Sequence, residues 1–119
     1  MSEVKILVVD DEKELAESMI DLLEFEGYTT VLAGTGEDAL ESIAHSLPDL
    51  VVLDIKLPGI DGIEVLRRLK QEHPALPVII VSASSQKGTR EQAQDFGADG
   101  VLLKPFDQDE LLQLIKTLV

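Results

Sequence analysis

The stretch Asp49-Leu50-Val51-Val52-Leu53-Asp54-Ile55-Lys56-Leu57-Pro58-Gly59-Ile60-Asp61-Gly62 decides the fold. Its apolar run does not alternate with polar residues, so it reads as a strand covered on both faces. The run ends on an acid, a Pro58-Gly59 turn follows, and Asp61 with Glu64 opens a helical pattern carried by Ile63, Leu66 and Leu69. Strand, acid, turn and helix in that order make one βα unit with its reactive residue at the carboxyl end of the strand.

Reading outward, the same grammar recurs. Ile6-Leu7-Val8-Val9 ends on Asp10-Asp11, Val78-Ile79-Ile80-Val81 on Ser82, and Val101-Leu102-Leu103 on Lys104. Strands are expected near 4–9, 29–33, 49–54, 77–82 and 101–103, with the more polar 29–33 at an edge. Helix faces are expected from Leu15, Ala16, Met19, Ile20, Leu22 and Leu23, from Leu40, Ile43, Ala44 and Leu47, and from Leu111, Ile115 and Leu118. A short helix from Thr89 to Phe96 is poor in large apolar residues. Capping pairs are expected at Asp11 with Glu14, Thr35 with Asp38, Asp61 with Glu64, Thr89 with Gln92 and Asp107 with Glu110. Five βα units give an α/β fold, an open parallel sheet with right-handed crossovers and helices on both faces.

The 119 residues fit one domain, expected to span 1–119. The chain has no cysteine, which excludes disulfides, thiolate metal sites and a cysteine nucleophile. Its 23 acidic against 10 basic residues give a formal charge of −13. Such a charge repels phosphate backbones and anionic membrane surfaces, so neither nucleic acid nor membrane is an expected partner. With no signal-like start and no run long enough to span a bilayer, a cytoplasmic location is expected.

In a parallel sheet the strand ends share one edge, so Asp10, Asp11, Asp54, Ser82 and Lys104 are expected to converge in a single crevice. Clustered carboxylates raise one another's pKa unless a cation compensates them. Oxygen ligands with no nearby histidine or cysteine suit a hard ion such as Mg²⁺; His45 and His73 are expected at helix ends on the surface. A carboxylate beside such an ion can attack phosphorus and form an acyl phosphate. On that chemistry Asp54 is the acceptor, Asp10 and Asp11 hold the metal, Lys104 pairs with the phosphoryl group and Ser82 senses it.

Four stretches, Ile6 to Glu12 (ILVVDDE), Asp49 to Gly62 (DLVVLDIKLPGIDG), Pro77 to Ala83 (PVIIVSA) and Gly97 to Phe106 (GADGVLLKPF), together resemble the receiver domain of two-component response regulators (CheY-like). The resemblance covers nearly the whole chain. It implies a flavodoxin-like (βα)5 doubly wound, three-layer fold with strand order 2-1-3-4-5. It also implies that Asp54 takes a phosphoryl group from a phosphohistidine of a sensor histidine kinase or phosphotransfer protein, and that a downstream protein partner reads the result. Asp11 is implied as a direct Mg²⁺ ligand, Asp10 as one acting through water, and the backbone carbonyl of Lys56 as a third. Ser82 matches the switch hydroxyl, Lys104 the lysine of the site, and Lys104-Pro105 a peptide that is cis in the family.

One position departs from the family pattern. Val101 stands where an aromatic ring often rotates with the switch, so signalling is expected to run through backbone shifts in the Ser82 to Gly88 loop and the fourth helix, or through a different face. Self-catalysed phosphorylation and dephosphorylation make the chain a signalling switch rather than an enzyme acting on other substrates. It is expected to be a stand-alone regulator or phosphorelay intermediate, or a receiver excised from a longer regulator, with a binding-only receiver as a further alternative. A flavodoxin-like cofactor binder is disfavoured because Asp10-Asp11-Glu12 would repel phosphate where such proteins bind it. A haloacid-dehalogenase-like phosphatase is disfavoured because Lys56 occupies the position of its general acid.

Overall fold

The computed structural model describes residues 3–83 and 89–119. Five strands, β1 (Lys5–Val9), β2 (Thr29–Ala33), β3 (Leu50–Asp54), β4 (Val78–Ala83) and β5 (Gly100–Lys104), alternate with five helices. These are α1 (Lys13–Phe25), α2 (Gly36–His45), α3 (Gly62–Glu72), α4 (Thr89–Asp95) and α5 (Gln108–Leu118). All strand pairs are parallel and the order is β2-β1-β3-β4-β5. This is the doubly wound α/β fold expected from the sequence.

Alternate residues of each strand feed two separate cores, as the period of a strand requires. Leu7, Val9, Val51, Leu53 and Ile80 pack with Ile43, Leu66, Leu69 and Ala93 on one face. Ile6, Val8, Val52, Ile79 and Val81 pack with Met19, Leu23, Leu111 and Ile115 on the other. The central strands are buried from end to end, which explains their unbroken apolar runs, while β2 lies at an edge with Thr29 and Leu32 exposed.

Local expectations fare unevenly. The Thr35 side chain accepts from the Asp38 amide at 3.0 Å, and the Asp61 carboxylate from the Glu64 amide at 2.9 Å. The Asp107 amide donates to Glu110 at 3.4 Å. Asp11 does not cap α1: the cap position is Glu12, because Asp10 folds its carboxylate back onto the Glu12 amide and the helix starts one residue later than expected. Thr89 is the first residue of α4 rather than its cap, and the residue preceding it lies outside the described residues. The buried face of α2 is Ala39 and Ile43 with Leu40 partly covered; Ala44 is exposed, and Leu47 lies beyond the helix end and is 54% exposed. In α3, Val65 joins Leu66 and Leu69 in the core.

Gly62 fixes how closely α3 can approach the end of β3. A Cβ there would collide with the backbone of Asp54 and Ile55, and the Gly62 amide donates to the Ile55 carbonyl at 2.9 Å. The start of α3 is thereby seated directly against the residue that ends the central strand.

Candidate functional site

Register brings the strand ends together. Val9 pairs with Leu53, Asp54 with Val81, and Ser82 with Leu103, so Asp10, Asp54, Ser82 and Lys104 finish four adjacent strands along one edge. Asp10, Asp54 and Ser82 are buried polar residues at an otherwise apolar boundary. Buried charge is costly unless paired, so each must be held by specific partners.

Asp54 is held on both oxygens. The Lys56 amide donates to Oδ1 at 3.1 Å and Lys104 Nζ donates to Oδ2 at 3.2 Å. Asp10 is held by the Glu12 amide, which donates to its Oδ1 at 2.9 Å. Lys104 Nζ also lies 4.0 Å from Asp10 Oδ2 and 3.8 Å from Glu12 Oε1, so one ammonium faces three carboxylates. The Lys104–Pro105 peptide is cis, as the resemblance implied.

Burial dominates the ionisation of Asp10. Burial, with the nearby charge of Asp54 adding to it, pushes the Asp10 carboxyl up to about 6, although the Glu12 amide pulls in the opposite direction. Oxygens of Asp10, Glu12 and Asp54 all lie within 4.8 Å of one another. Two buried carboxylates and a third at the rim, with a single lysine to balance them, are an oxygen-only donor set of the kind that fits Mg²⁺.

The expected site residues are placed as follows. Asp10, Asp54, Ser82 and Lys104 converge. Asp11 is exposed and stands outside the close cluster, lining a depression of about 560 Å³ with Lys56, Asp61 and Gln92 on a partly apolar floor of Ile55, Leu57 and Ile63. The Lys56 side chain is exposed, and its amide rather than its side chain touches Asp54. Glu12 is the member that sequence reasoning did not single out. Its signal was the turn Asp10 makes onto the residue two positions later, which carries the Glu12 backbone back toward the crevice. On the other side of Lys104, an apolar groove of about 460 Å³ runs between α1 and α5, lined by Leu15, Met19, Leu22, Phe106 and Leu111.

Val101 is half-buried on β5 and packs, with Ala98, against the core that holds α2, α3 and α4. The first part of the expected signalling segment, Ser82 and Ala83, ends β4; residues 84–88 lie outside the described residues.

Comparison with known proteins gives a consistent picture. A family model described as the response regulator receiver domain matches residues 6–116. The response regulator MprA of Mycobacterium ulcerans is 43% identical over 116 residues, covering 98% of this chain and 50% of the relative. MprA of Mycobacterium leprae is 40% identical over the same length, covering 98% and 51%. The chain therefore spans about half the length of these relatives. Among solved structures, a CheY-like receiver domain protein from Methanospirillum hungatei superposes with a TM-score of 0.93 at 33% identity, covering 98% of this chain and 93% of that one. The receiver domain of NtrX from Brucella abortus gives 0.90 at 36% identity, covering 95% and 96%.

Proposed function

We infer the function from one premise: this chain belongs to the response regulator receiver family of two-component systems, with residues 6–116 matching the family model. On that premise, residues 1–119 form a receiver whose Asp54 accepts a phosphoryl group from the phosphohistidine of a sensor kinase or phosphotransfer protein. The single observation that carries this reading is the placement of Asp54, buried at the end of the central strand with Lys104 Nζ 3.2 Å from Oδ2 and Asp10 and Glu12 within reach.

In the transfer, a carboxylate oxygen of Asp54 forms a bond to phosphorus while the phosphorus–nitrogen bond of the donor imidazole breaks and its electron pair returns to nitrogen. Lys104 stands where it can follow the phosphoryl oxygens, giving up its bond to Asp54 for one to the new group. The Lys56 amide keeps the acceptor carboxylate oriented. Ser82, one register step beyond Asp54 on β4, is the hydroxyl that responds to the added group. Asp10 and Asp54, with Asp11 and the Lys56 carbonyl as the resemblance implies, would hold Mg²⁺. When bound, the ion supplies positive charge against the carboxylates and the transferred group.

The phosphorylated state is read by a downstream protein partner in the cytoplasm, and the chain acts as a switch rather than as an enzyme on other substrates. Val101 offers no ring to rotate, so the change starts at Ser82 and reaches α4 or a different face. The full acidic set disfavours a binding-only role, since a receiver that never binds metal would gain stability by losing these charges. Incubating the protein with acetyl phosphate and Mg²⁺ tests the reading by intact mass. Wild type is expected to gain one phosphoryl group and Asp54→Asn none; equal labelling of both would reject Asp54 as acceptor.

A further inference from the structure

At the edge of the sheet opposite Asp54, Lys70 and Asp99 tie three elements together. Lys70 belongs to the last turn of α3, and its side chain is only 14% exposed. Its Nζ donates to Asp99 Oδ2 at 2.7 Å and to the Leu76 carbonyl at 2.7 Å, just before β4. The same Asp99 oxygen accepts from the Val78 amide at 2.8 Å, and the Asp99 amide donates to the Val78 carbonyl at 2.9 Å. The stem of Lys70 lies under Gly97, whose Cβ position would be 3.5 Å from Lys70 Cγ; at φ +94 this glycine turns the chain out of α4.

These contacts all fall at one end of α4. Among its described side chains Ala93 is the fully buried one, and the Ala98 amide donates back to the Ala93 carbonyl at 3.0 Å. Charge-assisted bonds are stronger than neutral ones, and although Asp99 is exposed, removing it would leave the largely covered Lys70 ammonium without its ionic partner. The segment just after α4 is therefore fastened to α3 and to the start of β4 through Asp99, and to α4 itself through the Ala98 amide. The amino end is the one that follows Ser82 along the chain.

We propose that Lys70 and Asp99 form a fixed pivot that holds the carboxyl end of α4 while the rest of this two-turn helix responds to the state of Asp54. The idea rests on the receiver reading above and adds the element against which the switch works. Without a pin, a change begun at Ser82 would pass through α4 into β5 and dissipate. With it, the helix reorients about Ala98 and Asp99 and presents a changed surface. A clamp that served folding alone would stabilise both states equally and leave the response of α4 unaltered.

Amide hydrogen exchange by NMR, with and without beryllofluoride and Mg²⁺, tests the pivot in wild type, Lys70→Met and Asp99→Asn. Lys70→Met keeps the stem over Gly97 and loses the ammonium. Asp99→Asn keeps an acceptor for the Val78 amide and loses the ionic partner. In wild type, exchange at Glu91 to Asp95 is expected to change several-fold on adding beryllofluoride while Val78, Ala98, Asp99 and Gly100 change less than about twofold. In both variants the Ala98 to Gly100 amides are expected to become responsive, changing several-fold between states. Wild-type amides at Ala98 to Gly100 that respond as strongly as those of α4 would overturn the pivot. So would variants whose exchange rises equally in both states. Bound beryllofluoride is followed separately by ¹⁹F NMR, so failure of wild type to take it up would reject the receiver reading itself, and the pivot with it.

Discussion

Lys104 Nζ donates to Asp54 Oδ2 at 3.2 Å across 50 residues of sequence, and the same ammonium lies within 4.0 Å of Asp10 and Glu12. Among the described residues the lysine is the cation paired with these three carboxylates, and its contacts make it a structural as well as a functional group. Replacing it by methionine preserves the stem and leaves two buried carboxylates without their cation. Lys104→Met is expected to destabilise the metal-free protein at pH 7 by about 1–3 kcal/mol. The loss should shrink as Asp10 protonates below about pH 6. Urea denaturation in EDTA checks it; an equal loss above and below that pH would show that packing, not charge, is the cause.

Asp10 sets a pH dependence of definite sign. Its carboxyl is pushed up to about 6 in the folded protein from the ordinary 3.8, so between those values the folded state binds more protons than the unfolded one. Its protonation favours folding, an effect complete below about pH 4 and lost as pH rises through about 6. At pH 7 without metal, the ionised group opposes folding by roughly 2–3 kcal/mol. Asp10→Asn is therefore expected to be more stable than wild type at pH 7 in EDTA, with the advantage vanishing near pH 4. Urea curves across that range decide it, and a variant less stable at pH 7 would mean the carboxylate is held by bonds stronger than its burial cost.

Magnesium is expected to raise the melting temperature of wild type, because a ligand that binds only the folded state stabilises it. The rise should be much smaller in Asp11→Ala. Glu12→Gln should keep most of it: the Glu12 side chain is 66% exposed and must be ordered at an entropic cost before it can serve as a ligand. Scanning calorimetry against Mg²⁺ concentration separates the two acids. An unchanged rise in Asp11→Ala with a lost one in Glu12→Gln would transfer the metal site to the cluster seen without the ion.

Gly62 is expected to tolerate no side chain. Gly62→Ala places a methyl against the Asp54 and Ile55 backbone, which cannot move aside without shifting the acceptor. A loss of about 2–4 kcal/mol is expected, with slower phosphorylation of whatever remains folded. Gly34→Ala, where a Cβ meets nothing within 4 Å, is the control and should stay close to wild type. Similar stability for both variants, from denaturation midpoints, would remove the close approach from the description of the site.

The fold was legible because buried parallel strands announce themselves as unbroken apolar runs, and because the strand ends carried their own chemistry. Asp10, Asp54, Ser82 and Lys104 could be placed together from topology alone. Helix boundaries were less legible: Asp11 looked like a cap, but Asp10 competes for the Glu12 amide and delays the start of α1. Leu47 had the spacing of a helical face, yet α2 ends at His45 and leaves it exposed. Glu12 was hidden because its approach to the crevice depends on a side-chain-to-backbone turn, which no periodicity reports. The Lys70–Asp99 pair was hidden for a similar reason, being 29 residues apart on the polar faces of two different units.

The most direct test of the receiver reading locates the phosphoryl group and identifies its bond. After incubation with acetyl phosphate and Mg²⁺, the expected adduct maps by tandem mass spectrometry to the segment containing Asp54 and is removed by hydroxylamine, as an acyl phosphate must be. It should be absent when Asp54 is asparagine. A stable, hydroxylamine-resistant phosphate on a serine or threonine, or an adduct that persists in Asp54→Asn, would contradict it.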